Sequence, residues 1–159
     1  MIVPENILTT VVKTMQPIND KVVHFHYGNQ DELNRYLDKY KGQVYPLIWM
    51  LPFKESHNVN EVTGNPTFLV AVNFKKENKS RLNNERLKWS FNEILIPVVE
   101  EFYKRLGRNN NVNYDNSDIE VMKYPNYRET KIANDPDSIH LWDALTLSLN
   151  MSFFNNCKS

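Results

Sequence analysis

The chain has little of what most chemistry needs to be recognised by pattern. Among 159 residues there is one cysteine and there are four glycines. The lone thiol, Cys157, excludes an intrachain disulfide and fits a reducing compartment. The glycines stand singly, so no glycine-rich loop is available to cradle a phosphate, and the GxSxG, HExxH and CxxC patterns are absent. Nineteen basic residues cancel nineteen acidic ones, so no net field draws the chain to nucleic acid or to a membrane surface. The longest apolar run, 44–53, is interrupted by prolines and falls far short of the roughly 20 residues that span a bilayer. The opening MIVPENILTT has neither a charged n-region nor a cleavage pattern, so no leader peptide is expected. From these absences we expect no catalytic, cofactor-binding or metal site, and no enzyme. The length suits a single domain over 1–159, with 155–159 as a flexible tail.

What is present is hydrophobic patterning, clearest near the C-terminus. Leu145, Leu147, Leu149, Met151 and Phe153 alternate with Ala144, Thr146, Ser148, Asn150 and Ser152. Only an extended chain collects residues two apart on one face, so 139–154 reads as a long, half-buried strand. The segments 44–51, 67–74 and 118–124 read as three more strands, the first apolar on both sides and bounded by Pro52. Leu87, Phe91, Leu95, Val98, Phe102 and Leu106 form one helical stripe over about 80–106, with Pro97 inside it and either a kink near 93–96 or two abutting helices expected there. Ile7, Leu8, Val11, Val12 and Met15 predict an N-terminal helix over 4–15. A short strand at 21–27 and a well-capped helix at 30–41 follow it. The expected fold is α+β, a two-layer sandwich in which a mainly antiparallel four-stranded sheet packs on the long and N-terminal helices. The polar stretch 52–66 is expected to be a projecting hairpin loop, and 108–117 and 125–137 to be loops.

Three constellations carry possible chemistry, each with a plainer reading beside it. His24 and His26 share one strand face and can offer two nitrogens to zinc. A third ligand would have to come from His57, His140 or a carboxylate, and no spacing specifies one, so two partly exposed strand histidines is the plainer reading. Cys157 beside a histidine would sketch a nucleophile and base, but it lies too close to the chain end for preorganisation. The basic run 75–81 can touch phosphate, yet it opens a helix and reads more simply as a solvated turn. Trp49, Trp89 and Trp142 fall at core-facing positions, where packing outweighs a stacking role.

Taken together, YPLIWML, the long loop after it, TFLVAVNF, the helix EILIPVVEEFYKRL with its internal Pro97, and LWDALTLSLNMSFF resemble the small head-to-tail connector proteins of tailed bacteriophages, of the tail-terminator or tail-completion kind. The likeness covers about 44–154 and is one of element order. The strand at 21–27 and the Asn-rich loops depart from it. The resemblance implies a structural virion protein that forms a homo-oligomeric ring of sixfold or twelvefold symmetry. The ring would join portal or adaptor protein to tail proteins, made in the host cytoplasm and placed at the head-to-tail junction. Double-stranded DNA would pass through its lumen without sequence-specific contact, and no membrane would be involved. A ring needs one patch to meet a different patch on the next copy. Candidate interface residues are Phe53, Lys54, Glu55, Val59, Glu61 and Val62 on the hairpin, and Thr146, Ser148 and Asn150 on the polar strand face. The alternatives are a small phage-encoded binding module, or a metal-dependent enzyme using His24 and His26.

Overall fold

The computed structural model describes residues 1–39, 46–75, 83–132 and 135–155. Helix α1 (Pro4–Lys13) opens on a proline whose fixed φ suits a first turn, and it buries Leu8, Val11 and Val12. Strand β1 (His24–Tyr27) leads through Gly28 into α2 (Gln30–Asp38). Asn29 Oδ1 accepts from the Glu32 amide at 2.9 Å and Glu32 Oε2 accepts from the Asn29 amide at 3.0 Å, a reciprocal cap that places the start of this helix. Strands β2 (Leu47–Met50), β3 (Glu55–His57), β4 (Glu61–Gly64) and β5 (Thr67–Lys75) follow. Then comes a long helix, α3, built from an α turn (Asn83–Arg86), a π-helical segment (Leu87–Leu95) and an α segment (Ile96–Arg108). The chain ends in two very long strands, β6 (Val112–Ile132) and β7 (Asp135–Phe154).

The class is α+β, as the sequence predicts, but the sheet is larger than four antiparallel strands. Seven strands are joined in the order β1-β2-β5-β7-β4-β3, with β6 on the other flank of β7. The sheet is mixed because β1 pairs with β2 in parallel. Strand β7 carries two neighbours in series on one flank. Thr67 to Lys75 of β5 oppose Ser148 to His140, and Glu61 to Gly64 of β4 oppose Phe154 to Met151. The segment 52–66, expected as a projecting hairpin loop, is a hairpin of β3 and β4 whose second strand pairs with β7. The expected loops at 108–117 and 125–137 are largely strand as well. They read as loops because their polar residues are absorbed by irregularities: Asp115 opposes Asn150 and Glu120 opposes Ser148, so β6 advances five residues while β7 advances two. A second irregularity between Tyr124 and Arg128 holds Asn126 at φ 58°.

Core packs on both faces of this sheet, which the expectation of two layers missed. On one side Phe68, Val70, Leu145, Leu147, Leu149 and Phe153 meet Phe91, Leu95, Val98 and Phe102 of α3 and the stripe of α1. Phe68 and Phe102 meet edge to face at 5.4 Å. On the other side Leu33 and Leu37 of α2 cover Leu47, Trp49, Leu69, Ala71, Trp142 and Ala144. All four residues of β2 are consequently buried, as its unbroken apolar run predicts. Trp89 departs from its expected place in the core: it is 43 % exposed, with Lys88 Nζ 5.3 Å from its ring centroid.

Pro97 does not break α3. A proline removes its own N–H and crowds the carbonyl four residues earlier, here that of Glu93. The wider π-helical turns end just before this proline, and the Glu93 carbonyl accepts instead from Asn19 Nδ2 at 3.2 Å. The wider turns also rotate Leu87 away from the stripe, leaving it 40 % exposed.

One ion pair lies inside the apolar layer. Asp143 is fully buried on the α3 side of β7 and bonds the guanidinium of Arg86. Arg86 also bonds Asn126 Oδ1 and lies 4.9 Å from the Phe74 ring centroid, and the Asn126 amide donates to Asp143 Oδ1 at 2.9 Å. Removing one member of such a pair leaves a buried charge without its counterpart. Asp143→Ala should therefore lower unfolding stability in urea by about 3–5 kcal/mol. The apolar double replacement Arg86→Met, Asp143→Leu should recover most of that loss. A single-mutant cost below about 1 kcal/mol, typical of an exposed pair, would show that the network is solvated.

Candidate functional site

Helix α2 is too short to cover its whole side of the sheet. Its nine residues shield the β2, β5 and upper β7 region, and beyond Ala144 the same face runs on as Thr146, Ser148, Asn150 and Ser152 with no helix over it among the described residues. Cross-strand partners on that face are polar too. Thr67 opposes Ser148, with their hydroxyl oxygens 3.0 Å apart, while Glu120 opposes Ser148 from β6 and Thr63 opposes Ser152 from β4. The alternation of β7 thus buries leucines on one side and leaves a hydrophilic strip on the other.

Two adjoining clefts of about 320 and 490 Å³ open on this strip, with Asn65 and Asn150 shared between them. The first is bounded by Asp115, Asp118, Glu120 and Ser148, the second by Phe53, Lys54, Ser56, Thr63 and Gly64. One wall is acidic and the opposite rim carries a lysine. The Asp115 carboxyl is held below the ordinary carboxylate range by the Ser117 hydroxyl at 2.6 Å and the Ser117 amide at 2.9 Å. Gly64 is needed where it stands: a Cβ there would lie 2.5 Å from the Phe53 ring and 2.7 Å from the Lys54 carbonyl. That close approach seats Phe53 against the sheet, 6.4 Å from Phe153.

The candidate interface residues divide accordingly. Phe53, Lys54, Ser148 and Asn150 come together around the paired clefts, and Thr146 continues the same strip. Val59 projects at the β3–β4 turn, 94 % exposed, flanked by Asn58, which bonds Glu61 at 3.3 Å. Glu55 is turned to His57 on the outer strand, 2.6 Å away. Val62 differs from expectation: opposite Phe153 in the ladder, it is buried in the core and unavailable to a neighbour. Sequence reading missed Asn65, which the pairing of β4 and β5 with β7 places, and the wall of Asp115, Asp118 and Glu120, which the long pairing of β6 with β7 brings in.

The other constellations are placed as follows. His24 and His26 share a face of β1, opposite Leu47 and Trp49. The His26 ring packs 4.8 Å from Tyr36 and 6.1 Å from Trp49, whose Nε1 donates to the Gly28 carbonyl at 3.0 Å. Among the described residues no three histidine, cysteine or acidic side chains converge as a metal site. His140 lies on β7 opposite Lys75 and Thr130. Residue Cys157 and positions 76–81 of the basic run lie outside the described residues. No described helix is long and apolar enough to cross a membrane.

A comparison with protein-family models finds no match, and a comparison with curated proteins finds no relative.

Partial burial against Tyr36 and Trp49, then the neighbouring His24, lower the His26 pKa from its ordinary value. A histidine with a depressed folded-state pKa binds protons more readily when unfolded, so stability is lost as pH falls from about 6.5 through the folded value. The urea midpoint should drop between pH 7 and pH 5, and His26→Gln should flatten that drop. An identical slope in the variant would assign the pH dependence to other groups.

Proposed function

We propose that this chain is a structural subunit of a tailed phage, a connector or tail-terminator protein that assembles with copies of itself into a ring around the DNA channel. The observation that carries the reading is the polar strip of Thr146, Ser148 and Asn150 together with the exposed turn at Val59, which lies past the end of β7. A hydrophilic strip on one part of the sheet and a protruding aliphatic residue past the end of β7 offer the two unlike patches that a head-to-tail contact requires. The antiparallel strands β2, β5, β6 and β7 on α3 form the brick of that ring, and the order of these elements supports the likeness stated above. Symmetry would be sixfold or twelvefold, with portal or adaptor protein on one side and tail proteins on the other. DNA would be held by enclosure, with no base-specific contact. The location would be the virion, at the head-to-tail junction.

The test uses substitutions that leave the core alone. Removing 58–64 would delete β4 and the buried Val62, so it cannot separate assembly from folding. Val59→Asp and Asn150→Arg alter exposed positions and should leave the urea midpoint within about 0.5 kcal/mol of the parent. Each should abolish rings seen by negative-stain microscopy of the purified protein. Rings unchanged in both variants, or a parent that stays monomeric with portal protein present, would overturn the proposal and favour a small binding module.

A further inference from the structure

The first half of α3 faces the core through residues that an α-helix would not align. Arg86, Ser90, Phe91 and Leu95 are buried, while Leu87 is 40 % exposed. Arg86 and Phe91 are five residues apart, the spacing of a π turn, and the Ile96 amide donates to the Phe91 carbonyl, also five residues back. An α-helix would align Leu87, Phe91 and Leu95 instead, four apart, and would turn Arg86 off that face by about 100°. The π winding therefore exchanges one residue for another at a single position against the sheet. Arginine stands where the apolar stripe would put leucine.

Two preferences compete at that position. The ionic one is met: Arg86 Nε donates to Asp143 Oδ2 at 3.3 Å, a second guanidinium nitrogen bonds Asp143 Oδ1, and the third bonds Asn126 Oδ1. The apolar one is not met, because Leu87 is left facing water. Most π turns occur singly, so a run of nine residues needs a cause, and both of its ends supply one. Pro97 lacks the amide that would close an α turn on the Glu93 carbonyl, which Asn19 Nδ2 meets instead at 3.2 Å. At the other end Asp143, fully buried on β7, holds Arg86.

We propose that the first half of α3 is a two-register switch. The attraction of Asp143 for Arg86 holds the π register, and its loss lets the segment rewind to an α register with Leu87 in the core and Arg86 at the surface. The two registers differ in what they offer β6. Asn126, at φ 58° in the irregularity between Tyr124 and Arg128, bonds Arg86 through its side chain and Asp143 through its amide. Rewinding withdraws the Arg86 bond, so the register of the helix is coupled to the shape of the edge strand. The switch uses neither Val59 nor the strip at Thr146 and Asn150, so it stands whether or not those patches build a ring.

The experiment places a thiol at the contested position, in the full chain with Cys157→Ser and Leu87→Cys. That thiol is exposed in the π register and buried in the α register. Adding Asp143→Asn keeps the shape of the side chain and removes its charge, so the guanidinium of Arg86 is better placed in water. The introduced thiol should then react with iodoacetamide at least tenfold more slowly than in the chain that keeps Asp143. Arg86→Gln with Asp143→Leu, which leaves no charge in the network, should give the same slowing, with the circular dichroism unchanged in both. A helix that was merely loosened would open to solvent and label faster, so slowing reports the change of register. Slowing in either variant supports the switch, and equal or faster labelling in both overturns it.

Discussion

The side-chain alternation of β7 is the constraint on which the other layers depend. Leu145, Leu147, Leu149, Met151 and Phe153 are each exposed by 1 % or less. Burying five such side chains contributes on the order of 8–15 kcal/mol gross, against which the entropy of ordering the chain is set. A slip of one residue would send all five to the opposite face, so the register is held by the core itself. Everything laterally adjacent is then placed by that register: β5 and β4 in series on one flank, β6 on the other, and α3 across the leucine face.

Polar groups inside this frame are handled by pairing. Asp143 continues the leucine face of β7 and would be very costly there alone. Arg86 reaches it from the first turn of α3, and Asn126, held at positive φ by an irregularity in β6, completes the set. One network therefore ties helix, central strand and edge strand at a single point. The Glu93 carbonyl displaced by Pro97 is treated in the same way, since Asn19, itself at φ 49°, supplies the missing donor from the loop after α1.

The unequal coverage of the two sheet faces shapes the surface. Helix α3 runs from Asn83 to Arg108 across the leucine face, while α2 ends after nine residues. The uncovered part of the α2 face is the part where the sequence alternates to Thr146, Ser148 and Asn150, so a helix over it would bury unpaired hydroxyls and amides. Clefts form where the strip meets β4 and the irregular start of β6. On the outer flank, Val121 and Met122 are left apolar on an edge that is charged on either side of them.

Local pattern determined much of this protein. The apolar run LIWM specified a strand buried on both sides, the alternation in β7 specified one inner and one outer face, and Asn29 with Glu32 specified the start of α2. These are properties of neighbouring residues, and periodicity or capping expresses them directly. Tertiary structure decided what periodicity cannot carry. The polar stretches 112–117 and 125–132 became strand because β7 offered them a ladder, interrupted by register shifts, Val62 became core because β4 found Phe153, and β1 joined β2 in parallel. Each depends on a partner far away in the chain, and backbone hydrogen bonding to such a partner outweighs the local preference of asparagine and proline for turns.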